Sequence, residues 1–97
     1  MREMLLIVEK DTEKFEEQYI AWIKCGITLV QAYSMQEAIE RLTHEKFVMV
    51  GINGDNVNYL SQLRIMRDIT KLPIHILTSN YTYEKECEAL ALGANVY

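Results

Sequence analysis

Three short segments carry the side chains that could do chemistry: Glu9-Lys10-Asp11, Gly51 to Asn56 with Asp55 as an acid among turn formers, and the adjacent hydroxyls Thr78-Ser79. Carboxylates can hold oxygen-seeking cations such as Mg²⁺ or attack a phosphoryl group, and an unpaired lysine can meet an anion. Nothing in these clusters is a nucleophile with an adjacent histidine base. Cys25, Cys87, His44 and His75 are scattered, without Cys-x-x-Cys or Cys/His ligand spacing. That spacing argues against a zinc motif, and the cysteines are expected to be two reduced thiols of a cytosolic protein. Val8-Glu9-Lys10-Asp11-Thr12 contains no glycine, so it cannot be a glycine-rich phosphate loop.

The elements that must position these clusters alternate along the chain. Met4-Leu5-Leu6-Ile7-Val8 is a continuous apolar run, as a strand covered on both faces requires. Phe15, Tyr19, Trp22 and Ile23 then recur at helical spacing, a stripe read as core, and Gly26 ends that helix. Residues 27–32 read as a second strand. Ser34-Met35-Gln36-Glu37 has the form of a capping box, opening a helix that buries Ala38, Ile39 and Leu42. Phe47-Val48-Met49-Val50 reads as the third strand and Asn53-Gly54-Asp55-Asn56 as a loop of turn formers. Leu60, Leu63 and Met66 mark the inner face of a third helix. Pro73-Ile74-His75-Ile76-Leu77 reads as the fourth strand, and Thr82 caps a fourth helix reaching Leu92, with Gly93 beyond it. Residues 94–97 begin a fifth strand.

Strands alternating with helices predict an α/β fold: a doubly wound parallel sheet of five strands, flavodoxin-like, in the order 2-1-3-4-5. Its fifth strand would be truncated and its fifth helix absent from this chain, leaving apolar surface open beside the first helix. In such sheets function gathers at the carboxyl ends of the strands, which is where Glu9-Lys10-Asp11, residues 51–56 and Thr78-Ser79 fall.

With 97 residues, 49% hydrophobic and 25% charged, the chain suits a single domain spanning 1–97. A net charge of −4 argues against nucleic-acid binding by this surface. No apolar stretch approaches the roughly 18 residues of a membrane span, and the run after Met1 is too short for a signal peptide, so a cytoplasmic location is expected.

The ordered segments resemble the receiver domain of two-component response regulators. Leu5-Leu6-Ile7-Val8-Glu9-Lys10-Asp11 resembles the family's strand running into an acidic cluster, and residues 37–42 resemble its second helix. Residues 60–67, with Arg64 and Arg67, resemble its third helix. Pro73 to Ser79 resembles the strand that ends in a switch Thr or Ser, and Ala89 to Tyr97 resembles the approach to the switch aromatic. Counting forward from Lys46 and back from Pro73 and Leu60 puts the phosphoacceptor position at Gly51, whereas a slip of two residues gives Asn53. Neither is an acid. The family's metal-binding acid pair falls on Glu9 and Lys10, so one acid is replaced by an ammonium, which could pair with Glu9, Asp11 or Asp55. The near-invariant lysine of the family is expected just beyond Tyr97.

What the resemblance implies is therefore a receiver that has lost its chemistry. The expectation is a non-enzymatic module with a degenerate phosphoacceptor pocket at Glu9, Lys10, Gly51 and Thr78, no catalytic residues, no metal and no cofactor. Thr78, Tyr81, Tyr83 and Tyr97 are candidates for a switch or interface meeting a protein partner or a second copy. The chain is expected to be the amino-terminal part of a longer response regulator in transcription regulation, contacting DNA only through an effector domain outside it. The resemblance leans to the winged-helix transcription-factor subfamily, although Asn95-Val96 replaces the acidic pair typical there. Two alternatives stand: a small flavodoxin-like ligand-binding domain, and an ordinary phosphorylated receiver whose acceptor is Asp55 or Asp11.

Overall fold

The computed structural model describes residues 3–96, apart from the Gln18 side chain. Eight elements follow in order: β1 (Met4–Val8), α1 (Thr12–Lys24), β2 (Thr28–Ala32), α2 (Met35–His44), β3 (Met49–Asn53), α3 (Tyr59–Ile69), β4 (Ile74–Leu77) and α4 (Tyr83–Ala91). The strands form one parallel sheet in the order β2-β1-β3-β4. At the outer edge of β4, Val96 bridges His75 in parallel, where a fifth strand begins.

The alternation of side chains along each strand divides the core in two. Leu6, Val8, Val50, Ile52, Ile74 and Ile76 face one way, against Ala38 of α2, Leu63 and Met66 of α3, and Ala89 of α4. Leu5 and Ile7 face the other way, against Phe15 and Tyr19 of α1. Each fully buried aliphatic side chain in these layers contributes about 1.5–3 kcal/mol. Both faces of the sheet are thereby used, which is why the strands read as apolar runs.

The helix boundaries follow local chemistry. Asp11 caps α1, accepting from the Glu13 and Lys14 amides at 3.0 and 3.2 Å. Ser34 caps α2 through the Glu37 amide, and Thr82 caps α4 through the Lys85 amide. Gly26 at φ 86° and Gly93 at φ 107° close α1 and α4 in the left-handed conformation.

The structure departs from the sequence reading in several places. In α2 only Ala38 is fully buried, while Ile39 and Leu42 are half-buried. The third strand lies later than Phe47 to Val50 and runs through Gly51 and Ile52 to Asn53. The α1 stripe is only partly core: Phe15 and Tyr19 are buried and Trp22 is half-buried, but Ile23 is 46% exposed. Trp22 lies over His75 of β4, ring centroids 6.4 Å apart, on the face that α1 shares with the sheet. Beside it an apolar groove of about 550 Å³ is lined by Leu5, Trp22, Ile27, Val48 and Met49. Among the described residues no helix is long and apolar enough to cross a membrane.

Candidate functional site

The carboxyl ends of β1, β3 and β4 lie side by side, and a run of hydrogen bonds joins them. Glu9 continues the β1 ladder by one residue, its amide donating to the Ala32 carbonyl at 2.9 Å while its carbonyl accepts from Gln31 Nε2 at 2.8 Å. Its side chain turns inward and is 1% exposed. Glu9 Oε1 accepts from Asn53 Nδ2 at 2.9 Å, and Oε2 accepts from the Asp11 amide at 3.2 Å. Asn53, 3% exposed, accepts through Oδ1 from the Asp55 amide at 2.9 Å. A buried carboxylate is tolerable here because both its oxygens are hydrogen-bonded.

The second half of the site is the Asp55 carboxylate. Gly54 donates its amide to the Leu77 carbonyl at 2.8 Å, carrying the β3–β4 pairing one residue beyond the strand. A Cβ at Gly54 would come within 2.6 Å of Ile76 Cγ2, so this close approach needs glycine. It brings Asp55 against the end of β4. Asp55 Oδ1 accepts a short hydrogen bond from the Thr78 hydroxyl, and Oδ2 accepts from the Ser79 hydroxyl at 2.9 Å. The Ser79 amide lies 3.2 and 3.3 Å from the two oxygens. Thr78 Oγ1 in turn accepts from the Asn80 amide at 3.0 Å. Burial works to raise the Asp55 pKa, but the bonds from Thr78 and Ser79 outweigh it and hold the carboxyl below its ordinary value.

Tyr19 closes the site from the α1 side. Its hydroxyl is buried and finds no hydrogen-bond partner among the described residues. Burial, reinforced by the negative charges of Glu9 and Asp55, pushes its pKa well above the usual tyrosine value, so it stays protonated. Between Tyr19, Trp22, Leu77, Thr78 and Ser79 lies a cavity of about 310 Å³.

Of the residues singled out from the sequence, the structure links Glu9 to Thr78 through Asn53 and Asp55 and leaves two others outside. Lys10 is exposed, and among the described residues the only ion pairs are those of Arg41 with Glu37 and Glu45. The pairing of Lys10 with Glu9, Asp11 or Asp55 is not formed. Gly51 lies within β3, opposite Ile7 of β1 and His75 of β4. A Cβ there would point into the α1-facing apolar layer, 2.7 Å from Ile7 Cδ1 and 3.0 Å from Leu77 Cδ1, and not into the site. The β3 residue that meets Glu9 is Asn53, the position reached by the two-residue slip. Sequence reasoning also missed Asp55 as the anchor of Thr78 and Ser79. Its one signal was an acid among turn formers directly after β3.

Tyr81 and Tyr83 stand 58% and 72% exposed at the entry to α4. The Tyr81 hydroxyl donates to Glu86 Oε1 at 2.9 Å, and that bond is the chief cause of its raised pKa. Tyr97, and with it any coupling to Thr78, lies outside the described residues. Among those residues, no three of His, Cys, Asp or Glu gather as metal ligands.

No family model and no curated protein matches the chain. Solved structures do. A response regulator from Thermotoga maritima matches with a TM-score of 0.84 and 20% identity, over 100% of this chain and 83% of that one. A two-component response regulator from Clostridium difficile matches at 0.82 and 20%, over 99% and 81%. The receiver domain of the Saccharomyces cerevisiae response regulator Ssk1, solved with the histidine phosphotransfer protein Ypd1, matches at 0.79 and 19%, over 99% and 77%. The chain therefore has the fold of response-regulator receiver domains.

Proposed function

We propose that this protein is a receiver-like signalling module that works by binding another protein, without aspartyl phosphorylation and without enzymatic activity. The observation that carries the reading is the amide at the buried end of β3. Asn53 meets Glu9 where a carboxylate nucleophile would be needed, and an amide does not attack a phosphoryl group. Two further features agree with it. Both oxygens of the buried Glu9 are engaged by N–H donors, and Lys10 adds a cation to the strand end, so the site offers Mg²⁺ too few free oxygen ligands. The one acid in the β3–α3 loop, Asp55, is already held by Thr78 and Ser79.

The surface we assign to partner binding is the start of α4. There Tyr81 and Tyr83 are exposed beside Glu84 and Glu88, and tyrosine is enriched at interfaces. One solved neighbour, the Ssk1 receiver domain, is itself seen with a protein partner. A second copy of this chain is the other partner we consider. In this reading the protein acts in the cytoplasm in a two-component pathway, and transcription regulation, with a winged-helix effector, would be exercised by a domain outside this chain.

A second reading is favoured by the cavity next to the orphaned Tyr19 hydroxyl: a flavodoxin-like domain that binds a small ligand. Amide spectra recorded with beryllofluoride and Mg²⁺, and separately with flavins and nucleotides, decide between them. The binding module should show no response around Glu9, Asn53, Asp55 and Thr78 in any titration. A saturable shift with beryllofluoride would contradict it in favour of a phosphorylated receiver. A shift with a flavin or nucleotide would contradict it in favour of a ligand-binding domain.

A further inference from the structure

The β4–α4 loop is tied down by a single side chain of another loop. Between the end of β4 at Leu77 and the cap of α4 at Thr82, the Ser79 amide bonds to Asp55 and the Asn80 amide bonds to Thr78 Oγ1, which itself donates to Asp55. The Ser79 hydroxyl takes the other carboxylate oxygen. Asp55 is fixed in its turn from below: its amide donates to Asn53 Oδ1, and Asn53 Nδ2 donates to the buried Glu9. One continuous chain of bonds thus runs from β1, through β3, to the loop that presents Tyr81. Beyond it the Tyr81 hydroxyl reaches Glu86 of α4. Bonds to an ionised acceptor are shorter and stronger than neutral ones, so the chain is anchored by carboxylates at Glu9 and at Asp55, and Asp55 is the one that reaches the β4–α4 loop.

We propose that Asp55 is a built-in latch, whose carboxylate holds the β4–α4 loop and the Tyr81–Tyr83 surface in one fixed arrangement with no incoming group required. Partner binding through that surface is then constitutive, and any regulation acts by breaking the latch. The proposal rests on the reading that Asp55 carries no phosphoryl group, and deepens it by giving the acid a role.

The test uses the whole 97-residue chain and amide hydrogen exchange. Asp55→Ala should speed exchange of the Ser79 and Asn80 amides about tenfold or more, as expected when bonds to a charged acceptor are lost. It should also move the Tyr81 and Tyr83 resonances, while Leu6 and Ile52 in the central strands keep their rates. Thr78→Val, which removes only the hydroxyl and keeps the shape, should do the same at Asn80 and serves if Asp55→Ala does not fold. Unchanged exchange at Ser79 and Asn80 with unmoved Tyr81 and Tyr83 signals would overturn the latch alone. A phosphoryl group found on wild-type Asp55 would overturn the latch together with the function it rests on.

Discussion

Asn53→Asp places a second carboxyl against Glu9 and so tests the geometry of the site at its most sensitive point. The two side chains are 3% and 1% exposed and 2.9 Å apart. The substitution removes the donor to a charged acceptor, which costs about 1.5–3 kcal/mol. Two unit charges about 4 Å apart at an effective dielectric of about 20 repel by roughly 4 kcal/mol. These do not simply add, because a proton shared by the pair relieves the repulsion and restores a donor. The pair's pKa therefore rises above the ordinary carboxyl range. A raised carboxyl pKa means that the folded state binds the extra proton more tightly than the unfolded chain. The penalty is absent below about pH 4, grows above it, and reaches on the order of 4 kcal/mol near pH 7. Urea unfolding at pH 5 and pH 7 measures this directly. Wild-type protein should show no comparable gain at pH 5, and millimolar Mg²⁺ should recover part of the variant's loss at pH 7, since paired carboxylates suit that ion. Gly51→Asp is the control: its side chain would be driven into Ile7 and Leu77, so it should be severely destabilised with no recovery from Mg²⁺. Wild-type stability in Asn53→Asp at pH 7, or equal rescue of both variants, would show that residue 53 does not face Glu9 in a buried pair.

Other expectations follow from other parts of the molecule. Arg67 donates to the carbonyls of Gly93, Thr70 and Leu72 and to Asn95 Oδ1, stitching α3 to both ends of the β4–α4 unit. Arg67→Ala should cost about 3 kcal/mol in chemical unfolding, and Arg67→Lys should rescue little because one ammonium cannot span four acceptors. Burial lowers the His75 pKa, so the folded state disfavours its charged form. Its contribution is complete above about pH 6.5 and declines as pH falls toward the depressed folded value, and His75→Gln should flatten that slope in thermal unfolding. Cys25, just after α1, and Cys87, in α4, are both free and exposed, and the two helices pack against opposite faces of the sheet. Mass spectrometry of the oxidised monomer should therefore show no intramolecular crosslink, and finding one would contradict the topology.

Much of the fold was legible because its causes are local. The apolar runs of β1 and β4, the caps at Ser34 and Thr82, and the glycines at 26 and 93 each carry their own signal, and the alternation of elements dictates a parallel sheet. The site was harder to read because tertiary contacts make it. Asn53-Gly54-Asp55-Asn56 is rich in turn formers, yet Asn53 ends β3 because its amide bonds to Glu9 and the Gly54 amide bonds to Leu77. Glu9 could be placed at a strand end, but not its burial, which depends on donors from Asn53 and Asp11. Nothing in the sequence near Asp55 announces Thr78 and Ser79. They meet only because β3 and β4 are neighbours in the sheet. The exposure of Ile23 escaped the helical periodicity for a similar reason: the stripe gives a direction, and the strand beneath decides how much of it is covered.

A receiver fold that works purely by binding accepts no phosphoryl group. The most direct measurement is the intact mass of the wild-type protein after incubation with Mg²⁺ and acetyl phosphate, followed by mapping of any acid-labile modification. An unchanged mass is expected, because Asn53 offers no nucleophile and Asp55 is held by Thr78 and Ser79. Stoichiometric labelling at Asp55 or Asp11 would contradict it and make the protein an ordinary phosphorylated receiver.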